Sequence, residues 1–144
     1  MRINAAAGFL VLTAMFGGAA TPASAGDINV ARIIYREALR FRASEKVKVA
    51  MFEAALVESG MRNLNYGDRD SIGVFQLRVR IWGYTTAHSP SLSADWFLRR
   101  AIPRQYRYST PGRLAQAVEV SAFPSRYDRM YYSAKAWLRR VRGY

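Results

Sequence analysis

The sequence predicts a mainly α-helical, single-domain protein of about five to six helices, with a motif loop and a very short strand element. Three observations carry that prediction. Apolar residues recur at helical spacing in residues 30–42 and fill residues 45–58 nearly all round. Helix stops and starts punctuate the chain at Ser44, Gly60, Pro103, Thr110-Pro111 and Pro124. No repeat, low-complexity stretch or linker divides residues 26–144, a length typical of one domain.

Residues 1–25 read as a secretory leader. Arg2 supplies a positive start, residues 5–20 are almost wholly Ala, Gly, Leu, Val, Phe and Met, and Ala23-Ser24-Ala25 fits a small-x-small cleavage site. The apolar run is short of the roughly 20 residues a spanning helix needs, so no stable membrane anchor is expected. Cleavage near Ala25 would place the protein outside the cell or in its envelope.

The first helix is expected over 30–42, with Val30, Ile33, Ile34, Ala38 and Phe41 on one face and Arg32, Arg36 and Arg40 between them. Ser44 suits the N-cap of the next helix, 45–58, and Gly60 its left-handed stop. Residues 61–71 read as a polar loop. Residues 72–77 fit a strand or a helix turn, and 78–92 look irregular. Ser93 is expected to cap a helix through Arg100. Thr110-Pro111 opens another, to about Ser121. Residues 125–141 form a last basic, aromatic helix.

Composition narrows the chemistry. The 144-residue chain has no cysteine and one histidine. That excludes cysteine nucleophiles, thiolate sites and a multi-histidine zinc site, and no metal or cofactor is expected. His88, in Thr86-Ala-His-Ser-Pro90, reads as a loop residue. Ten acids remain, so the chemistry left open is that of carboxylates. The formal net charge of +12 favours polyanionic partners. The expected export argues against nucleic acid. Arg139, Arg140 and Arg142 on the last helix are a candidate contact for anionic wall polymers, or a solvated helix face.

Glu58 is the leading catalytic candidate. A general acid needs a carboxyl group that stays protonated near neutral pH. Burial at the end of an apolar helix and the negative end of the helix dipole both disfavour the charged form. Arg62 could oppose them by folding back. Glu53, five residues earlier, lies well round the helix and reads as structural or surface. A solvated helix-end glutamate is the plain alternative for Glu58.

The set Glu58-Ser59, Asn63-Leu-Asn-Tyr-Gly67-Asp68-Arg69-Asp70-Ser71, Gly73-Val74-Phe75-Gln76, Ala115-Gln-Ala-Val118 and Ser121-Ala-Phe-Pro124 resembles the lysozyme-like superfamily. This superfamily includes the lytic transglycosylases and goose-type lysozymes, and the likeness to secreted actinobacterial members covers roughly residues 45–137. The resemblance implies a lysozyme-like fold. It also implies cleavage of the MurNAc–GlcNAc β-1,4 bond of peptidoglycan strands, with Glu58 as general acid. The family's Gly-Leu-Met-Gln appears here as Gly-Val-Phe-Gln. Its Ala-Tyr-Asn-Ala-Gly motif is absent, with Val120-Ser121-Ala122-Phe123 in its place. The alternative is a catalytically degenerate binder of wall glycan or another polyanion on the same scaffold.

Asp68 and Asp70 are candidates for a second carboxylate, or turn residues that bond their own backbone. Without one, the transglycosylase route remains, in which one glutamate is acid and then base. Ser59 and Gln76 are candidate substrate contacts through the motifs. Tyr66, Trp82, Tyr84, Phe123 and Tyr127 are candidate sugar platforms, since aromatic rings offer flat apolar faces.

Overall fold

Asp27 opens the first helix by accepting the Asn29 N–H at 2.8 Å. Helix α1 spans Ile28–Arg40. In this computed structural model, which describes residues 25–123 and 125–143, α1 begins and ends two residues before the expected helix. Asp27 sets the start, and Arg42, at φ 50°, turns the chain away. The expected leader lies outside the described residues apart from Ala25.

Helix α2 spans Glu45–Ser59. Ser44 Oγ accepts the Val47 N–H at 3.3 Å, as expected of an N-cap. Gly60, at φ 64°, closes the other end, where the N–H groups of Gly60 and Met61 donate to Leu56 and Ala55. Val47, Ala50, Met51, Phe52, Ala54 and Ala55 are fully buried. Burying a side chain such as Phe52 or Met51 stabilises the fold by about 1.5–3 kcal/mol. An apolar surface on every side demands neighbours on every side. Helix α2 is accordingly the hub around which the other long helices pack.

The segment 72–77 resolves into a hairpin. Strand β1, Ser71–Ile72, pairs antiparallel with β2, Leu77–Arg78, with Ile72 opposite Leu77. Gly73 opens the turn at φ 85°, and a Cβ there would lie 1.8 Å from the Ala87 carbonyl oxygen. Close backbone approach therefore explains the motif glycine. Val74 and Phe75 enter the core, where Phe75 stacks on Phe97 with centroids 5.3 Å apart.

Residues 78–92 are not irregular. They form α3, Val79–Trp82, and α4, Tyr84–His88, and then enter α5, Pro90–Ala101. Helices of four and five residues are too short to display a period. The cap of α5 is Ser89, whose Oγ accepts the Leu92 N–H at 3.2 Å, with Pro90 in the first turn. Ser93, the expected cap, lies buried inside the helix and donates to Ser89 O at 2.8 Å. Nor does Pro103 end the helical path. The chain continues as a 3-10 helix, Ile102–Arg107, with Pro103 in its first turn, where no N–H is required.

Helix α6 spans Pro111–Glu119, capped by Thr110 as expected and ended by Val120. The last expected helix is split into α7, Ser125–Asp128, and α8, Tyr131–Arg142, with the break at Arg129-Met130. Pro124, expected as a breaker, is outside the described residues. The described chain is mainly α, with eight α-helices and one two-stranded sheet. Among the described residues no helix is long and apolar enough to cross a membrane.

Candidate active site

Two helix C-termini meet in this molecule. Helix α2 packs more extensively on α6 than on any other described element. Glu58 lies in the last turn of α2, and Glu119 is the last residue of α6. Each carboxyl group therefore sits at the negative end of a helix dipole, which disfavours its charge.

Glu58 Oε1 accepts a hydrogen bond from the Tyr127 hydroxyl at 2.6 Å. Burial holds the Glu58 carboxyl above its ordinary pKa, against the lowering effects of that bond and of Arg126. Glu119 is pushed well above the ordinary carboxylate range, first by burial and then by the charge on Glu58. Its Oε1 is sealed from solvent with no hydrogen-bond partner. Two interacting carboxyls of this kind titrate as a unit and retain a proton to higher pH than either would alone. Tyr127 is fully buried, and burial and the carboxylates raise its pKa, keeping it a protonated donor. The Ser121 hydroxyl bonds to Tyr127 and works the other way.

Glu119 was not among the residues expected from the sequence. A signal for it exists, however. Ala117-Val118-Glu119 closes an apolar helix just as Leu56-Val57-Glu58 does.

Glu119 also belongs to the wall of a cleft of about 370 Å³, with Gln76, Arg78, Trp82, Trp96 and Arg100. Trp82 meets Trp96 edge-on at 5.5 Å, and the Arg100 guanidinium lies over both rings, at 4.4 and 4.7 Å. Of the expected substrate contacts, Trp82 and Gln76 line this cleft. Gln76 has φ 50°, and its Nε2 donates to the Tyr66 and Gly73 carbonyls at 3.1 and 3.2 Å. It therefore pins the 66–76 loop as well as facing the cleft.

The other candidates have different surroundings. Ser59 is buried and occupied at the end of α2, donating to Ala55 O at 3.0 Å and accepting the Arg62 N–H at 3.1 Å. Arg62 does fold back, but onto Ser59 O at 3.2 Å, and it does not act on Glu58. Tyr127 is no exposed platform but the buried partner of Glu58. Tyr66 and Phe123 are exposed and lie outside the lining of this cleft. Tyr84 is exposed and stacks on His88 at 5.1 Å.

The two aspartates are engaged within their own loop. Asp70 pairs with Arg78, accepts the Arg80 N–H at 2.7 Å, and is held below its ordinary pKa chiefly by those bonds. Asp68 is exposed, and its carbonyl accepts the Ser71 N–H at 3.0 Å. Arg126 is the charged group that lowers Glu58, and Glu58 in turn raises Glu119. Both aspartates are thus explained by the loop they build.

Glu53 is not on the surface: it is fully buried, and neither carboxyl oxygen has a hydrogen-bond partner. Burial, with a smaller contribution from Asp128, pushes it up to about 8. Of the tail arginines, Arg142 pairs with Glu45 and Arg140 lies over Trp137 at 4.3 Å. Among the described residues no group of three or more His, Asp or Glu is placed to hold a metal ion.

A carboxyl pair that keeps a proton, beside an aromatic cleft, is equipped for general acid catalysis on a sugar-like substrate. No protein-family model matches the chain, and no curated protein matches it either.

Proposed function

We propose that the protein is an exported peptidoglycan-cleaving glycosidase acting on the MurNAc–GlcNAc β-1,4 bond. One observation carries the proposal: Glu58, held above its ordinary pKa, interacts with Glu119, which lines a tryptophan-walled cleft. The resemblance of the Glu58-Ser59 and Gly73–Gln76 segments to lysozyme-like enzymes points to the same residue.

In this reading Glu58 gives its proton to the glycosidic oxygen as the C1–O4 bond breaks. The charge interaction with Glu119 helps the two carboxyls hold a proton, and Tyr127 fixes the Glu58 carboxyl. Glu119 favours its neutral form, which suits neither base nor nucleophile, and Asp70 is engaged by Arg78. These facts favour the lytic transglycosylase route. There Glu58, now a carboxylate, takes the proton of the sugar's own 6-hydroxyl. O6 then bonds to C1 and closes a 1,6-anhydro ring.

The test is mass spectrometry of purified peptidoglycan digested by the protein and by Glu58→Gln. The parent should release 1,6-anhydro muropeptides, and the variant should release none while still binding glycan. Ordinary reducing ends would replace the anhydro route with hydrolysis. Activity of Glu58→Gln within a few-fold of the parent would remove Glu58 from the role. An inactive but glycan-binding parent would leave a wall-glycan binder.

A further inference from the structure

An arginine-lined hollow adjoins the cleft. Arg99, Arg100, Arg104 and Arg107, with Pro103, line an open concavity of about 470 Å³ at the end of α5 and the following 3-10 helix. Arg100 and Arg104 also line the cleft that holds Glu119, so the two hollows share a wall.

The charge here is not neutralised from within. Asp95 is taken by Arg99 and Arg40. Among the described residues Arg100, Arg104 and Arg107 have no ion-pair partner. Arg100 and Arg104 stand at i,i+4, a spacing at which like charges repel. Glu119 is the one acid among the residues lining either hollow, and it favours its neutral form.

Arg100 is also preorganised. It stacks over Trp82 and Trp96 and donates to Trp96 O at 3.1 Å, while Arg104 donates to Arg100 O at 2.8 Å. Each guanidinium carries five donors in a planar fork, so most remain for a bidentate anion. Clustered, positioned and unpaired arginines are the build of an anion site.

We infer that Arg100, Arg104 and Arg107 form a carboxylate-binding subsite for the acidic groups carried by the strand whose glycan occupies the cleft. This rests on the glycosidase reading and deepens it. A glycan strand carries its carboxylates on the free lactyl group of a stem-free muramic acid or, where that group is amidated by a stem, on the stem peptide. The shared wall lets one strand contact both hollows. The C-terminal arginines lack this continuity, since Arg142 and Arg140 are engaged with Glu45 and Trp137.

The test measures binding by the Glu58→Gln protein, with and without Arg104→Ala/Arg107→Ala. The probes are neutral chitin oligosaccharides, stem-free glycan with lactyl carboxylates, stem-bearing strands, and a nucleic-acid oligomer. Removing both arginines should weaken binding to a carboxylated strand about tenfold at low salt, the scale of one to two exposed charge pairs. The loss should shrink as salt screens the charges beyond about 10 Å. Binding to chitin oligosaccharides should not change. A loss already present with stem-free glycan assigns the lactyl carboxylate, and one confined to stem-bearing strands assigns the stem.

Equal affinity of both proteins for every carboxylated strand would overturn the subsite while leaving the glycosidase reading intact. A loss seen with the nucleic-acid oligomer alone would overturn it in favour of a nucleic-acid contact. No binding to any glycan would end both proposals. Circular dichroism must match between the proteins. If it does not, Arg104→Gln/Arg107→Gln is used and read by the same criteria.

Discussion

The ends of α2 and α6 are built alike and finished differently. Each closes an apolar helix with a Val-Glu pair, and each glutamate is raised in pKa by burial at a helix C-terminus. Glycine follows the first end at Gly60, where positive φ is free of strain. Valine follows the second, and Val120 is held at φ 55°. Glu58 has a hydrogen-bond partner in Tyr127, whereas Glu119 has a buried oxygen with none. The α2 end takes its left-handed stop on a glycine, although Met61 beyond it is also left-handed, at φ 62°. The α6 end carries strain and an unsatisfied acid, features that proteins tend to retain where chemistry is done.

The largest effects should come from breaking the pair. Glu119→Gln keeps the shape but cannot share a proton. Its maximal rate should fall on the order of 10²-fold, within the range for acid–base groups. The alkaline limb of its pH–rate profile should move to lower pH, because the raised acid has lost its partner. Glu58→Gln should fall further. The opposite ranking would make Glu119 the acid and Glu58 the residue that assists it. A Glu119→Gln enzyme with parental rate and profile would confine Glu119 to the cleft wall.

The same contrast explains what could be read from the chain alone. The stop at Glu58-Ser59-Gly60 was legible because a glycine in the left-handed conformation is a local signal. The stop at Glu119 was not, because valine seldom takes that conformation, and the helix was expected to run on to Ser121. The second carboxylate was sought in the Asp68–Asp70 loop for its nearness in sequence. Packing of α2 on α6 instead sets Glu119, 61 positions further along, beside Glu58, as an acid that favours its neutral form. Tyr127 was singled out for its aromatic face, but its hydroxyl is what reaches Glu58, and pairing across 69 positions leaves no periodic trace. Ser89-Pro90 did carry the cap-and-proline signal used at Thr110-Pro111, and Ser93 competed with it.

Glu53 sharpens the comparison, since it stands on the same helix but has no hydrogen-bond partner for either carboxyl oxygen. Its pKa rises from 4.5 to about 8 on folding, through burial and the charge of Asp128. Between those values the folded state keeps a proton that the unfolded state has lost. This contribution is therefore complete below about pH 4.5 and is lost as pH rises towards 8. Glu53→Gln should match the parent near pH 4 and exceed it by about 4 kcal/mol near pH 8, measured by denaturant unfolding. Some slope should remain, because Glu58 and Glu119 are shifted in the same direction. Parallel stability curves would mean that Glu53 is hydrated in solution and that burial on α2 does not by itself raise a carboxyl.

The smallest effect tests the strain directly, by exchanging the two helix stops. A left-handed conformation costs an L-residue about 1–2 kcal/mol, and glycine avoids most of that. Val120 is 82% exposed, so removing its side chain forfeits little packing. Against the relief stands the greater freedom of glycine in the unfolded chain, worth roughly 0.5–1 kcal/mol. Val120→Gly should therefore stabilise the protein by about 0.5 kcal/mol. Gly60→Val should destabilise it by about 0.5–1 kcal/mol, the same strain less the freedom of glycine, since a Cβ at Gly60 meets nothing closer than Arg62 Nε at 3.7 Å. Opposite signs would show that the two ends differ by strain at one residue. If Val120→Gly is destabilising as well, the valine side chain must be contributing contacts that hold Glu119 in place. The α6 end would then be supported by packing rather than maintained against strain.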